Sequence, residues 1–179
     1  MRPSSRLLPA LHSVVLLAAL AAPMSADAQT RRSQRAAVMQ MVGQTRIEIT
    51  YSRPVARGRT LFGALVPWNR VWNPGADTAT AISVSTPVLV NDQRLPAGAY
   101  SLWAIPGQER WTIIFHRRTP VWHIPYPGDG EVALRVDAVP ERGSHLETLT
   151  YYFPVVEGLT ATLRLHWGET IVPLAIRVE

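Results

Sequence analysis

The feature of this sequence that most constrains its fold is the alternation of apolar and polar residues in short segments separated by turn residues. Residues 36–42 and 45–51 alternate in this way, and Gly43-Gln44 between them suits a two-residue hairpin turn. The predicted register places Val38 opposite Ile49 and collects the apolar side chains on one face. A period of two with one apolar face is typical of antiparallel β-strands that are buried on one side.

A second hairpin is predicted at the C-terminal end of the sequence. Residues 160–167 and 170–178 also alternate, and Gly168-Glu169 separates them. The predicted register places Trp167 opposite Thr170, which again puts most apolar residues of both segments on one face. We therefore expect these two segments to be neighbouring strands that exchange hydrogen bonds directly.

Further alternating segments extend this pattern over the sequence. Between the two predicted hairpins they occupy residues 80–85, 88–90, 93–95, 99–105, 110–117, 132–139 and 147–153. About ten short strands, with turn signals roughly every eight to twelve residues, predict an all-β fold that is an antiparallel β-sandwich. Both a jelly-roll-like and an immunoglobulin-like topology agree with this pattern.

One stretch, residues 51–80, departs from the regular alternation. It concentrates basic and aromatic side chains, namely Arg53, Arg57, Arg59, Arg70, Phe62, Trp68 and Trp72. The spacing of its apolar residues around Leu61 and Leu65 predicts one long irregular or short-helical insertion in the β fold. Long connections in an otherwise regular fold often hold functional residues, so this arginine-rich loop is the predicted binding region.

The first 28 residues have the pattern of a secretory signal peptide. Arg2 and Arg6 precede an apolar run, and Ala26-Asp-Ala28 suits cleavage. We expect residues 29–35 to form a disordered basic tail and residues 36–179 to form a single β-sandwich domain. The sequence therefore predicts a periplasmic or secreted protein that has no membrane span after cleavage.

Composition narrows the kinds of site that the chain can contain. It has no cysteine, which excludes disulfides and thiolate metal sites. After removal of the leader, 16 arginines against 12 acidic residues leave a net charge of +4. This mild excess permits acidic ligands but does not indicate nucleic-acid binding. No histidine pair has the spacing of metal ligands, so we predict neither a metal nor a cofactor.

Several short motifs follow one another along the chain. They are Tyr51-Ser-Arg-Pro54, Arg57-Gly-Arg59, Leu65-Val-Pro67, Val71-Trp72, Leu95-Pro-Ala-Gly-Ala-Tyr-Ser101 and Trp111-Thr-Ile-Ile114. With these motifs the chain resembles the bacterial domain of unknown function 2911 family. The resemblance implies an exported, mostly β domain without an established activity. Asn73 stands where the family pattern usually has Arg, and Asp77 where it often has Asn. The resemblance therefore implies that any ligand site built on those positions differs here.

The 51–80 stretch permits two interpretations. Arginine forks bind carboxylate, phosphate or sulfate bidentately, and tryptophan rings stack on sugars. Alternatively, the arginines hold the loop through backbone carbonyls, and Trp68 and Trp72 seat it on the sheet. The predicted ligand-binding residues are Arg53, Arg57, Arg59, Trp68, Arg70, Trp72, Asn73 and Asp77.

The histidines raise the alternative of an enzyme. A hydrolase acting on envelope material would use His116, His123 or His166 as a base beside a carboxylate. His116 and His166 fall on polar strand faces, where solvated side chains are expected, and no serine lies in a nucleophile-elbow motif. We predict no catalytic residues.

We thus expect a non-enzymatic exported domain that binds or interacts through the arginine-rich loop, with a small anion, a glycan or an envelope protein as its partner. Besides the hydrolase, a structural or assembly subunit remains an alternative. In that case exposed apolar surface from Trp122 to Tyr126 would dock a partner protein. Tyr100, which follows a glycine turn at the start of a strand, is expected to bond back to the neighbouring loop.

Overall fold

The computed structural model describes residues 33–179, so the predicted signal peptide lies outside the described residues. The strands are β1 (Gln34–Val42), β2 (Thr45–Arg53), β3 (Ala81–Val84), β4 (Val88–Val90), β5 (Gln93–Leu95), β6 (Gly98–Ile105), β7 (Trp111–His116), β8 (Val132–Ala138), β9 (Glu141–Glu157) and β10 (Thr160–Val178). β1 begins within the segment predicted as a tail. Residues 33–179 include no helix of the length and apolarity needed to cross a membrane.

The strands form two antiparallel sheets. One sheet has six strands in the order β1-β2-β3-β6-β7-β8, and the other has four in the order β5-β4-β10-β9. Apolar side chains from both sheets fill one core, among them Ile47 and Ile49 of β2 and Leu163 and Leu165 of β10. The chain is therefore an all-β antiparallel sandwich, as the alternation predicts.

Two local predictions are confirmed. Val38 faces Ile49 in the N-terminal hairpin, and Gly43 takes the positive φ of 56° that the first position of a type II′ turn requires. The hydroxyl of Tyr100 donates a hydrogen bond to the backbone oxygen of Pro96 at 2.8 Å. Both features depend on contacts within a few residues, which local patterns describe well.

The predicted C-terminal hairpin is wrong. Residues 160–178 form one continuous strand, β10, which pairs with β9 along residues 160–171 and with β4 at its end. Gly168 lies at an irregularity in the ladder with β9, where the register shifts on both sides of it. Its φ of +60° accommodates this β-bulge rather than a chain reversal. Buried positions accordingly change from odd numbers, such as Leu165, to even numbers, such as Val172.

The irregular stretch joins the two sheets at one end of the sandwich. Residues 54–80, here the bridging loop, connect β2 to β3. The backbone N–H of Ala56 donates to the carbonyl of Glu147 in β9 at 2.8 Å, and Trp72 and Ala104 of β6 exchange two backbone hydrogen bonds of 2.8 Å. The loop contains turns and isolated bridges, so the insertion is irregular and the predicted short helical turns do not form.

An aromatic cluster seats the bridging loop on the sandwich. The ring of Phe62 lies 4.9 Å from that of Trp111, 6.0 Å from Trp72, 6.1 Å from Trp68 and 6.2 Å from Trp167, between centroids. Trp72 also stacks on Trp167 with an interplanar angle of 12°. Each such pair contributes about 0.5–1.5 kcal/mol beyond the area it buries. These contacts support the interpretation in which Trp68 and Trp72 seat the loop.

Residues 119–130 cover the outer face of the six-stranded sheet. Trp103 and Ile114, both buried, form a second and smaller core there. The ring of Tyr126 packs edge-on against Trp103 with a centroid distance of 5.1 Å. The centre of this sheet is therefore buried on both sides. The covering segment also brings His123 next to the bridging loop, where the backbone N–H of His123 donates to the carbonyl of Asp77.

Candidate functional site

The bridging loop borders a cavity of about 330 Å³, here the loop cavity. Its apolar walls include Val66, Trp72 and Trp167, and its nitrogen-bearing side chains are Arg57, Arg59 and His123. Among the described residues, no aspartate or glutamate lines it. A cavity with basic groups and apolar walls but without carboxylates in its lining has the electrostatics to attract an anion.

The most available charge in the loop cavity belongs to Arg57. The carboxylate of Glu147 accepts a hydrogen bond from the backbone N–H of Arg57, at 2.6 Å. The backbone of Arg57 is thereby held at a positive φ of 53°, while its exposed guanidinium has no hydrogen bond or ion pair within residues 33–179. The side chain is therefore anchored at its base and has its donors available for a ligand.

Glu147 holds this anchor in its ionised form. Its second oxygen accepts a hydrogen bond from Nε2 of His145 at 3.0 Å. This bond, and then the one from the backbone of Arg57, hold the pKa of the Glu147 carboxyl below its ordinary value. The backbone carbonyl of Glu147 meanwhile accepts the N–H of Ala56. Glu147 thus fixes the start of the bridging loop through both its backbone and its side chain.

Arg59 has a structural function as well as a place in the lining. Its Nε donates to the carbonyl of Ala56 at 2.8 Å, and its Nη2 donates to the carbonyl of Val55 at 2.6 Å. Two of its five N–H groups therefore tie the loop to itself, as the structural interpretation predicts. The remaining donors lie on a side chain that borders the loop cavity.

The tautomer of His123, which borders the loop cavity, is set by the bridging loop. The carbonyl of Asp77 lies 2.7 Å from Nδ1 of His123 and also accepts the backbone N–H of His123 at 3.0 Å. Because a carbonyl can only accept, Nδ1 must bear a proton, so Nε2 of the neutral ring is an acceptor. Nε2 has no hydrogen-bond partner in the part of the chain that the structure describes. The bridging loop therefore selects the tautomer of this histidine.

Two other predicted binding residues are engaged inside the protein. Arg53 donates to the carbonyl of Leu149 at 3.2 Å and to the hydroxyl of Thr150 at 2.8 Å, which ties β2 to β9. Asn73 is 2% exposed and donates to the carbonyl of Leu102 at 2.7 Å. Neither borders the loop cavity. Their contacts agree with the structural interpretation.

The structure brings Arg57, Arg59 and Trp72 together among the predicted binding residues. Arg70 is exposed and Trp68 borders a different groove. Asp77 contributes its backbone carbonyl to His123, and its carboxylate forms no ion pair within residues 33–179.

Two further cavity residues, His123 and Trp167, were missed as members of this site. The sequence indicates His123 only as a candidate base and Trp167 only as a strand residue. They reach the cavity from residues 119–130 and from β10. No local sequence signal connects either segment with the bridging loop.

The expectation that His116 and His166 are solvated is wrong. His116 is 1% exposed; its Nε2 lies 3.0 Å from the carbonyl of Gly128, and its Nδ1 accepts the N–H of Arg118. His166 is 8% exposed, and its Nε2 lies 3.0 Å from the carbonyl of Ser144. Polar strand faces are buried here because neighbouring segments cover them and supply backbone partners.

The three histidines of the hydrolase alternative form no hydrogen bond with a carboxylate within residues 33–179. His116, His123 and His166 bond to backbone groups. His145 does meet a carboxylate, that of Glu147, but both side chains are about half exposed and neither lines the loop cavity. Within residues 33–179, no three histidine, aspartate or glutamate side chains gather as metal ligands.

The surface proposed for partner docking is only partly exposed. Trp122 and Ile124 are 56% and 63% exposed. Tyr126 instead packs inward, and its hydroxyl donates to the carboxylate of Asp129 at 2.8 Å. Burial, followed by this hydrogen bond, raises the pKa of Tyr126 to about 12. Tyr126 therefore belongs to the structural cover of the sheet.

Comparison with known proteins identifies the family alone. Residues 33–176 match the family model described as "Protein of unknown function (DUF2911)". Neither a search of curated proteins nor a search of solved structures finds a significant match. The matched residues take in all ten strands, the bridging loop and the loop cavity apart from the last residues of β10. The chain therefore belongs to the DUF2911 family of proteins of unknown function.

Proposed function

We propose that this protein is an exported binding domain that holds a small anion in the loop cavity. The observation that supports this most is that Arg57 borders the cavity together with Arg59, and that the guanidinium of Arg57 has no protein acceptor in the described part of the chain. A guanidinium fork matches carboxylate, phosphate and sulfate groups. The lining lacks acidic residues that would compete with such a ligand.

The environment of Arg57 differs from that of many arginines on this surface. Those paired with carboxylates are Arg46, Arg94, Arg110, Arg118, Arg135, Arg142, Arg164 and Arg177. The carboxylate of Glu147 accepts hydrogen bonds from the backbone of Arg57 and from His145. The arrangement thus fixes the backbone of Arg57 with an acid while its side-chain donors remain available.

The size and walls of the cavity narrow the ligand. A volume of about 330 Å³ lies near the lower end of small-molecule sites, which span roughly 300–1,000 Å³. Val66, Trp72 and Trp167 supply apolar walls. A small organic carboxylate or phosphate ester, with its charged group at Arg57 and its apolar part against the tryptophans, fits these features better than a polymer.

Export is the second part of the proposal. It is supported by the signal-peptide pattern of residues 1–28. N-terminal sequencing of the protein recovered from the source cell tests it. Gln29 is expected as the first residue, and a retained Met1 would contradict export with cleavage.

Calorimetric titration of the purified protein tests anion binding. The probes are inorganic phosphate, sulfate, citrate and phenyl phosphate, and the variants are Arg57→Gln and, as a matched control, Arg70→Gln. Arg70 is an exposed arginine of the same loop outside the lining. Hydrogen bonds to a charged group contribute about 1.5–3 kcal/mol, so Arg57→Gln is expected to weaken binding about 10- to 150-fold.

The control defines the outcomes. Arg70→Gln is expected to bind each anion as the unmodified protein does. Equal weakening in both variants would indicate a diffuse effect of net charge, and unchanged binding in Arg57→Gln would refute the site. At a probe concentration of about 10 mM, a binding free energy as weak as about −3 kcal/mol is detectable. Absence of binding to all four probes at that concentration would refute the proposed function.

A further inference from the structure

A second groove, which shares no lining residue with the loop cavity, is bordered by two other members of the aromatic cluster, Trp68 and Trp111. It has a volume of about 340 Å³ and is bordered by Trp68, Gln108, Glu141, Arg142, Glu169 and Thr170. Here we call it the Trp68 groove. Trp111, which packs against Phe62, also reaches its wall. Two aromatic residues, Trp68 and Trp111, thus border the groove together with side chains that can donate and accept hydrogen bonds.

The ring of Trp68 is held in a fixed position. Gly63 has a positive φ of 86° and approaches Trp68 so closely that a Cβ at this position would overlap Nε1 of the indole. The ring of Phe62 lies 6.1 Å away at an angle of 32°. Trp68 nevertheless stays partly exposed where it borders the groove. The sequence of the loop thus presents a rigid aromatic surface, which loses little conformational entropy when a ligand packs on it.

The carboxylates of the groove are each paired through one oxygen. Oε2 of Glu169 accepts from Arg142 at 2.7 Å, and Oε2 of Glu141 accepts from Arg164 at 2.9 Å. Oε1 of either glutamate accepts no hydrogen bond from residues 33–179. Each carboxylate therefore has its charge compensated by an arginine and still has one oxygen ready to accept from a ligand.

We propose that the Trp68 groove binds a neutral sugar residue of a glycan. A sugar ring has an apolar C–H face, which suits the indole, and hydroxyl groups at its edge, which suit the carboxylate oxygens. Gln108 and Thr170 add an amide and a hydroxyl that both donate and accept. The paired charges of Glu169 and Arg142 favour a neutral ligand over an ion, because neither sign is in excess between them.

The test is a titration of the full protein with neutral oligosaccharides, followed by tryptophan fluorescence and by calorimetry. The probes are maltohexaose, cellohexaose, xylohexaose and hexa-N-acetylchitohexaose. The variants are Trp68→Ala and Glu169→Ala in the groove, with Trp122→Ala as the control for an exposed tryptophan elsewhere. At least one probe is expected to bind, and both groove variants are expected to weaken it at least about tenfold, the loss of one or two hydrogen bonds and one stacking contact.

The outcomes separate this site from the loop cavity. Trp122→Ala and Arg57→Gln are expected to leave sugar binding unchanged, and phosphate is expected not to compete. If Trp68→Ala fails to fold, Glu169→Ala and Gln108→Ala decide the question, since both residues are surface side chains. Absence of binding to all probes, or binding that both groove variants leave intact, would overturn the proposal. Loss of sugar binding in Arg57→Gln would overturn the assignment to this groove.

Discussion

The contact between the bridging loop and the bulge of β10 can be tested by replacing Gly168 with alanine. Gly168 has a φ of +60°, and a Cβ at this position would lie 2.8 Å from Cδ1 of Leu61. Leu61 is a buried residue of the bridging loop. The absence of a side chain at Gly168 thus serves two purposes, since it permits the bulge and it leaves room for the loop.

Both effects have typical sizes. Placing an L-residue in the left-handed region costs about 1–2 kcal/mol, and overpacking a buried contact costs about 1–3 kcal/mol. The lower entropy of the unfolded alanine chain offsets about 0.4–1 kcal/mol. Gly168→Ala is therefore expected to lower the free energy of unfolding by roughly 2–4 kcal/mol. In a Leu61→Ala background the overlap is absent, so the same substitution is expected to cost only about 1 kcal/mol.

Urea denaturation of the four proteins of this double-mutant cycle measures the coupling. We expect Gly168 and Leu61 to be coupled by about 1–3 kcal/mol, with unchanged m values, because the penalty of one alanine is relieved by the other. Additive free energies within about 0.3–0.5 kcal/mol would refute the contact. Such a result would mean that the loop does not rest on the bulge and that the position of the loop cavity is wrong.

Further substitutions test how the bridging loop is held. Asn73→Ala removes the donor to the buried carbonyl of Leu102 and is expected to cost about 1–3 kcal/mol in chemical denaturation; an unchanged midpoint would contradict this buried bond. Glu147→Gln removes a carboxylate whose folded-state pKa is lowered from 4.5 by its bonds from His145 and Arg57. A carboxylate with a lowered pKa stabilises the folded protein above the pKa of the unfolded chain, and this stabilisation is lost as the pH falls through the folded-state pKa. The variant is therefore expected to be less stable than the unmodified protein above pH 4.5. The difference in stability is expected to shrink at lower pH. A gap that widens in acid, in thermal unfolding followed against pH, would show the opposite linkage.

The two predicted hairpins show what alternation can and cannot predict. The N-terminal register follows from Val38 and Ile49 because the turn at Gly43 is local. At Gly168 a two-residue turn and a one-residue bulge both move the buried positions from odd to even numbers, so the same pattern of apolar residues fits either. Pairing with β9 decided the outcome, and that pairing joins residues distant in the sequence, such as Leu165 and Tyr151.

The candidate binding region shows the same division between local and distant information. The density of arginine and tryptophan in residues 51–80 correctly located the bridging loop. It did not distinguish Arg57, whose guanidinium borders the loop cavity, from Arg53, which bonds to β9. That distinction depends on where each side chain meets another segment. His123 entered the site for the same reason, since only the fold brings it to the carbonyl of Asp77.

The most direct test of anion binding is an NMR titration of the protein with inorganic phosphate, in which the arginine Nε–H and histidine ring signals are followed separately. We predict saturable shifts for Arg57 and His123, because they border the loop cavity, and little change for Arg53 and Arg70, which lie outside its lining. Arg59 is expected to shift less than Arg57, since its Nε is already bonded to Ala56. Shifts that are largest at Arg70 or Arg53, with Arg57 unchanged, would contradict the proposed site.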